Sequence, residues 1–523
     1  MHDKTKKFKV RFLPSGVSAD TDDGTLISDA AAAAGVKIGL PCNGNGRCGR
    51  CRVTVSRSGE DSASQVLACQ TRILSDTEIF VPSDGGKVIA SSSHRGIHVD
   101  DPVPIVVPSG KNIYGLAVDI GTTTVAASLI DMKNGSGIRS AAGYNRQGMH
   151  GDDVLSRMEY AHSGGTEELR RSVLDTINDI TDSFNDRDIT SERIAAVYVS
   201  GNTTMTHLFI GIDPSQMREP PYEPPFREFE TVGSKSGLHV NKNARVVCMP
   251  SPAAYVGGDV ISDIVYSGMD TESDLSLMID VGTNGEVALG NRDVMLVCSS
   301  SAGPAFEGGK MMSGMMARPG AIDSFRIDDN GKFRFTVIGG NVPKGICGSG
   351  YIDMLAQLFL NGFTDKKGNF TAKAETVTAD GRECLKITRD VYISDADIHN
   401  AILTKAAIYS ASRALMRGLG VTMDDIGKVY VAGGFGNFIN TESAIAAGLL
   451  PDIPRDRFVY LGNASLGGAA QALLSSSVRT RISEVFKRAT YVDLGSDPVF
   501  SDEFVSALFL PHTDADQFPT YLK

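Results

Sequence analysis

The chain has 523 residues, more than one hydrophobic core usually serves, so two to four domains are expected. Its 62 acidic and 51 basic residues leave a net charge of −11 with no basic stripe, which argues against nucleic-acid binding. A content of 41% hydrophobic and 22% charged residues is that of a globular protein, and no run of about 18 apolar residues occurs, so neither a membrane span nor a membrane partner is expected.

At the N-terminus "KFKVRFLP" and "GVSADTDDGTLI" read as two short strands. "SDAAAAAGV" reads as a helix capped by Ser28 or Asp29 and stopped at Gly35. The basic start "MHDKTKKFKVRFLPSG" is followed by no apolar segment of the kind a secretory leader needs. Cys248, Cys298, Cys347 and Cys384 stand singly in apolar or glycine-rich contexts, as buried thiols of a reducing cytoplasm do.

The other four cysteines are spaced Cys42-x5-Cys48-x2-Cys51-x17-Cys69, in "LPCNGNGRCGRCRVTV" and "LACQT". Four thiolates complete a 2Fe–2S cluster, and Gly44, Gly46 and Gly49 let the loop turn tightly around it. Arg47, Arg50 and Arg52 place positive charge beside an anionic centre, and "CRVTV" alternates like a strand. A structural zinc site is the alternative, although zinc ribbons usually carry two C-x2-C pairs and this segment has one. In its order of elements, glycine-rich loop and fourth cysteine the region resembles the β-grasp ferredoxin domain. The first gap of five residues is closer to the adrenodoxin type than to the plant type.

Residues 84–112, rich in Gly, Ser and Pro, read as a linker. The boundaries expected are 1–83 for the ferredoxin-like domain, 84–112 for the linker, 113–270 for a first half of the remainder, and 271–523 for a second half with a C-terminal extension. Four prolines in "REPPYEPPFREFE" (218–230) favour an extended loop inside the first half.

Two segments share one design. "YGLAVDIGTTTVAASLID" (114–131) and "LSLMIDVGTNGEVALGN" (275–291) each run from an apolar strand through an aspartate and a glycine–threonine turn into a second strand. Gly121, Thr122, Thr123 and Thr124, with Gly282, Thr283, Asn284 and Gly285, offer backbone amides and hydroxyls to phosphate oxygens. Asp119 and Asp280 are placed to hold Mg²⁺ through water or to position the attacking water. "KVYVAGGFGNFIN" (428–440) ends a strand at Gly433 and Gly434, where close backbone approach suits a nucleoside. "AAVYVSGNTTMTHLFIG" (195–211) ends similarly at Gly201. No Walker A motif or dinucleotide fingerprint occurs; "GPAFEGGKMMSG" only approaches the former. Glu286 and Glu307 fall in glycine-rich turns near the expected cleft. His150 and His207 lack metal-ligand spacing, and Met311, Met312, Met315 and Met316 read as packing or partner-surface residues.

Together these motifs resemble the actin/Hsp70/sugar-kinase superfamily, which implies duplicated RNase H-like halves with ATP between them. The fold class expected is therefore multidomain α+β and α/β, a β-grasp ferredoxin-like domain followed by an actin-like ATPase. Joined to the cysteine loop, "NRQGMHGDDVLSRMEYA", "VSGNTTMTHLFIGIDP", "SSSAGPAFEGGKMMSGM" and "PKGICGSGYID", they resemble the reductive activators of corrinoid-dependent enzymes over the whole chain. The resemblance implies ATP-dependent return of inactive Co(II) to Co(I) on a corrinoid protein of a methyltransferase system. It implies a 2Fe–2S cluster on Cys42, Cys48, Cys51 and Cys69, ATP and Mg²⁺ as cofactors, an upstream low-potential electron donor, and it is compatible with a homodimer. A redox sensor with a nucleotide-binding module, an electron donor to a radical dehydratase and a metabolite kinase are the competing readings.

Overall fold

A computed structural model describes residues 7–13, 16–36, 38, 51–57, 64–81, 99–103, 113–340, 342–434 and 439–521. Cys42, Cys48, the loop glycines Gly44, Gly46 and Gly49, and Arg47 and Arg50 lie outside the described residues.

The N-terminal unit is a five-stranded sheet built from β1 (Lys7–Leu13), β2 (Val17–Asp22), β3 (Arg52–Arg57), β4 (Ser64–Leu67) and β5 (Thr77–Phe80), in the order β2-β1-β5-β3-β4. Alternation along β1 buries Phe8, Val10 and Phe12 against Val53, Val55 and Ile79 and against the helix α1 (Ile27–Ala33). That helix starts at Ile27, earlier than the expected caps at Ser28 or Asp29, and Leu26 at its N-cap makes no side-chain cap bond. The reason is tertiary. Ile27 N–H donates to Thr71 O (3.0 Å) and Ser28 N–H to Ala68 O (3.1 Å), so the Cys69 loop satisfies amides that a polar side chain would otherwise take.

The remainder contains two six-stranded sheets that share a five-strand topology and carry the sixth strand at opposite edges. The first is β10-β11-β9-β6-β7-β8, from β6 (Tyr114–Ile120), β7 (Thr124–Asp131), β8 (Gly137–Tyr144), β9 (Ile194–Gly201), β10 (Phe229–Val232) and β11 (Arg245–Cys248). Its helices are α2 (Val154–Tyr160), α3 (Thr166–Asp182), α4 (Thr203–Ile210), the short α5 (Gly233–Ser236) and α6 (Gly258–Ser267). The second sheet is β22-β21-β12-β13-β14-β23. It uses β12 (Ser276–Val281), β13 (Gly285–Gly290) and β14 (Met295–Ser300). Between these and the rest of that sheet the chain forms two small sheets, one of β15 (Ala321–Ile327), β16 (Phe333–Val337) and β17 (Gly345–Ile346) with β15 central, and one of β18 (Thr376–Ala379), β19 (Arg382–Lys386) and β20 (Tyr392–Ser394). Helices α7 (Gly348–Leu360) and α8 (Asp395–Leu419) precede β21 (Lys428–Ala432), α9 (Thr441–Ala446), β22 (Phe458–Gly462), α10 (Ala464–Leu474), α11 (Ser476–Arg488), β23 (Thr490–Tyr491) and α12 (Pro498–Ala507).

In both sheets an antiparallel meander, β6-β7-β8 or β12-β13-β14, is extended by parallel strands, β9 and β11 or β21 and β22. The central strands are buried on both faces, as near-continuous apolar runs require. One face of each sheet packs on α6 and α10, which form a shared core with Ala117 and Ala126 of one half and Met278 and Ala288 of the other. The opposite faces pack on α3 and α4 in the first half and on α7 and α8 in the second. Gly467 and Gly468 of α10 let it pack directly on Tyr266 and Ser262 of α6. The two strand–turn–strand motifs line one cleft.

Residues 99–103, within the segment expected to be linker, are fixed to this body. Val103 N–H donates to Leu473 O, and Asp100 accepts from Ser475 Oγ, Ser476 N–H and Ser477 Oγ at 2.6–3.0 Å. These bonds, the one from Ser477 foremost, hold the Asp100 carboxyl down at about 2. At the other end, the buried Lys405 of α8 donates to Phe509 O and Pro511 O (both 2.6 Å), tying the C-terminal segment to the second half. Among the described residues no helix is long and apolar enough to cross a membrane.

Candidate functional site

Asp119 and Asp280 occupy the penultimate positions of β6 and β12, and both line one cleft with Gly121, Thr122, Thr123, Thr124, Gly282, Thr283, Asn284, Gly433 and Gly434. Of the residues expected there, Gly285 alone stands back. It lies on β13 with Ile408, Ser300 and Ala302 packed over it. The turns are tight: Gly121 N–H donates to Thr124 O (2.9 Å) and Gly282 N–H to Asn284 O (3.2 Å). Thr123 Oγ1 and Thr283 Oγ1 meet across the cleft at 3.3 Å, although 160 residues separate them. Both hydroxyls donate to Glu307 Oε2, Thr123 at 2.6 Å and Thr283 in a short contact.

The aspartates are served by helices that cross between the halves. Asp119 of the first half accepts from Asn463 Nδ2 and Ser465 Oγ of α10, both at 2.8 Å. Asp280 of the second half lies against Asp263 of α6, with Asp259 of the same helix and Glu286 of β13 close by. Asp119, Asp259 and Asp280 keep an edge open to the cleft, whereas Asp263 is fully enclosed.

This pairing makes the two aspartates electrostatically unequal. Burial raises the Asp119 carboxyl, but the bonds from Ser465 and Asn463 oppose it. Burial pushes Asp280 up to about 7, with the Asp119 and Glu307 charges adding to it and the neighbouring Asp263 carboxyl opposing it. Asp259 is also pushed up to about 7 by burial, and Asp263 and Glu286 are raised well above the usual carboxylate range by burial and by their acidic neighbours. One side of the cleft floor thus carries a compensated carboxylate, and the other a crowded acidic group that favours a proton or a cation.

The ends of β9 and β21 complete the floor in the same way in both halves. Gly201 (φ +155°) follows Ser200, which pairs with Asp119, and Gly433 (φ +114°) follows Ala432, which pairs with Asp280. A Cβ at Gly433 would stand 2.5 Å from Val281 O and 2.9 Å from Asp280 Oδ1. Gly433→Ala is therefore expected to cost roughly 1–3 kcal/mol of stability and to displace Asp280, an outcome that thermal unfolding would check.

The segment "NRQGMHGDDVLSRMEYA" braces the first turn. Asn145 Nδ2 donates to Gly121 O (2.9 Å) and Asn145 N–H to Thr123 O (2.9 Å), and the buried Arg157 of α2 donates to Thr122 O (2.6 Å). Asn202, which caps α4, donates to Thr122 Oγ1 (3.2 Å). Met315 and Met316 line the cleft, whereas Met311 is buried in the core of the second half. His207 is a packing residue, its Nδ1 on Thr203 O (2.7 Å) and its Nε2 on Phe226 N–H (3.2 Å). Cys347 is buried at the start of α7 beside the cleft, and Cys248, Cys298 and Cys384 are likewise buried free thiols.

Asn202, Asp259, Asp263, Asn463, Ser465 and Arg157 were not anticipated as site residues. A signal did exist for Asn202 and Asn463. "VYVSGNTT" and "VYLGNASL" both end a strand in Gly-Asn before a helix, and in each the asparagine caps that helix.

In the N-terminal unit, Cys51 and Cys69 are buried with their sulfurs 3.3 Å apart. That separation is beyond a disulfide bond of about 2.05 Å and brings two thiols to one point, as shared metal ligation needs. Cys69 lies in the turn that caps α1, and Cys51 immediately precedes β3, so the sheet fixes this half of the ligand set.

Comparison with known proteins agrees with this division of the chain. Residues 10–74 match the 2Fe-2S iron-sulfur cluster binding domain, residues 114–272 the RACo middle region, and residues 274–522 the C-terminal domain of RACo, the ASKHA domain. The chain is 29% identical to the corrinoid activation enzyme RamQ of Eubacterium limosum, covering 93% of this chain and 96% of that protein. It is 24% identical to the Co(II) methylated amine-specific corrinoid protein reductase of Methanosarcina barkeri, over 72% of this chain and 73% of that one. A solved structure of a reductive activator for corrinoid, iron-sulfur protein superposes with a TM-score of 0.76 at 32% identity, covering 98% of this chain and 100% of the other. The chain carries a ferredoxin-type 2Fe–2S domain and an actin-like ATPase domain, and it belongs to the family of reductive activators of corrinoid proteins.

Proposed function

We propose that the protein reactivates a corrinoid protein by delivering one electron to Co(II), giving Co(I), at the expense of ATP. The observation that carries this reading is one chain holding both a four-cysteine ferredoxin-type segment and a cleft in which Thr123 and Thr283 of opposite halves face each other at 3.3 Å. A 2Fe–2S cluster on Cys42, Cys48, Cys51 and Cys69 supplies one-electron carriage near about −400 mV. Each further 100 mV costs roughly 2.3 kcal/mol per electron, so a carrier at that potential populates a lower-potential acceptor poorly without a second energy source. Partner binding that differs between nucleotide states, reset by hydrolysis, meets that need.

In the cleft, the turns 121–124 and 282–284 would hold the phosphates and Gly433–Gly434 the nucleoside. Asp119 and Asp280 would position Mg²⁺ or the attacking water. The donor set suits a hydrated Mg²⁺. Two hard carboxylates come from opposite walls, and among the described residues no three His, Cys, Asp or Glu side chains converge to hold a metal by themselves. Mg²⁺ commonly keeps several waters and takes its other ligands from phosphates. When bound it would neutralise charge on the transferring phosphoryl group. A cytoplasmic setting, a low-potential electron donor and a homodimer belong to the same proposal.

The test mixes the reduced protein with ATP and a Co(II) corrinoid protein and follows the Co(I) absorbance. ATP-dependent Co(I) formation is expected, and Cys69→Ser should abolish it while ADP binding persists. Absence of Co(I) with every corrinoid protein encoded beside this chain would sink the proposal, and a phosphorylated small molecule appearing instead would favour a kinase.

A further inference from the structure

We infer that Glu307 is the carboxylate that orients the water attacking the terminal phosphate, an inference that rests on the ATP-hydrolysing reading above. Five acidic side chains line the cleft: Asp119, Asp259, Asp280, Glu286 and Glu307. Asp119 is engaged through both oxygens by Asn463 and Ser465, and Asp259 accepts from Val260 N–H at the start of α6. Asp280 lies against the enclosed Asp263, and Glu286 is buried. Glu307 differs from all four because it touches the phosphate-type turns of both halves.

Its geometry is directional. Thr123 and Thr283 both donate to Oε2, and among the described residues no hydrogen bond reaches Oε1. One oxygen is thus clamped between the turns while the other is left for water. The backbone beneath is rigid. Residues Ala305–Glu307 form a 3-10 turn with Ala305 and Phe306 buried, and it closes on Gly308 at φ +78°. A Cβ at Gly308 would lie 2.5 Å from Met315 N, so the turn has little freedom to shift. A carboxylate held this way is preorganised at the place where phosphate oxygens would meet the two threonines.

In the step assigned to it, the water oxygen bonds to the terminal phosphorus and the bond from that phosphorus to the β,γ-bridging oxygen breaks. ADP leaves with the electron pair, inorganic phosphate forms, and the water proton passes to Glu307 Oε1.

A side chain that merely tied the two turns together would work equally well as an amide, because a glutamine oxygen accepts the same two hydroxyls. Glu307→Gln therefore separates bracing from catalysis. The expected result is ADP affinity and thermal midpoint near those of the wild type, with single-turnover ATP hydrolysis slowed at least about 100-fold, the scale of a lost general base. Glu307→Asp, which keeps the charge but retracts it by one methylene, should fall between the two. Hydrolysis by Glu307→Gln within about threefold of wild type would overturn the inference, and so would loss of ADP binding in that variant, since Glu307 would then belong to the binding surface. A wild-type chain that binds no ATP would instead sink the nucleotide reading beneath it.

Discussion

Asp280→Asn is expected to abolish most ATP turnover and at the same time to stabilise the nucleotide-free protein. The catalytic loss should be about 100-fold or more, the usual scale when one preorganised electrostatic group is removed from a phosphoryl-transfer site. The stabilisation follows from the crowding around the side chain. Burial and neighbouring charge push Asp280 up to about 7, against about 3.9 for an unfolded aspartate. Between those values the folded chain holds the proton more tightly than the unfolded chain. Its stability therefore falls as pH rises through the window from about 4 to about 7 and stays lowered above it.

An asparagine carries no charge to penalise, and its amide can donate to Asp263. In EDTA, the melting temperature of Asp280→Asn should thus exceed that of wild type by little near pH 5 and by most near pH 8. A gain of about 1 kcal/mol would appear as roughly 2–4 °C. Asp119→Asn should also lose turnover but gain less at pH 8. Its carboxylate already accepts from Asn463 on one oxygen and from Ser465 on the other, and an asparagine replaces one of those oxygens by an NH2 group that cannot accept. Equal thermal gains for the two variants would contradict the unequal electrostatics of the cleft floor.

The contrast between these aspartates also marks how far the sequence was legible. "VDIGTTT" and "IDVGTNG" could be read because each places its strand, aspartate and turn within a few residues, and their bounds match β6, β7, β12 and β13 closely. The cysteine spacing was legible for a similar reason, and it brings Cys51 and Cys69 together. What surrounds the aspartates was not. Each is met by a helix from the opposite half, so Asn463 and Ser465 act 344 and 346 residues from Asp119. No local pattern encodes that exchange; it follows from the way α6 and α10 lie between the sheets. The start of α1 was misread because a loop 40-odd residues further along the chain supplies its first hydrogen-bond acceptors. Local propensity names the elements, and tertiary contacts decide where they begin and what they hold.

Arg157→Met is expected to be the most damaging substitution for the architecture of the first half. Its side chain is almost wholly enclosed, and the guanidinium donates to Thr122 O (2.6 Å), Gly151 O (3.0 Å) and Gln147 Oε1 (3.3 Å), with Met205 Sδ 3.0 Å away. Methionine fills much of the same volume but donates to none of these groups. Each buried acceptor left without a donor costs about 1–3 kcal/mol, and the combined loss should reach roughly 3–5 kcal/mol. The damage is not only to stability. Thr122 O belongs to the turn that also carries Thr123, and the opposite side of that turn is held by Asn145 and Asn202. With Arg157 gone, the turn is braced from fewer directions and its hydroxyls lose their fixed aim across the cleft. ADP affinity should fall at least about tenfold, equivalent to about 1.4 kcal/mol, at temperatures where the protein is still folded. Arg157→Lys should recover little of either loss, because one ammonium cannot reproduce a planar fork that spans three acceptors. A urea midpoint and an ADP titration on both variants make the check. Wild-type ADP affinity in a folded Arg157→Met protein would mean that the turn holds its shape without the arginine.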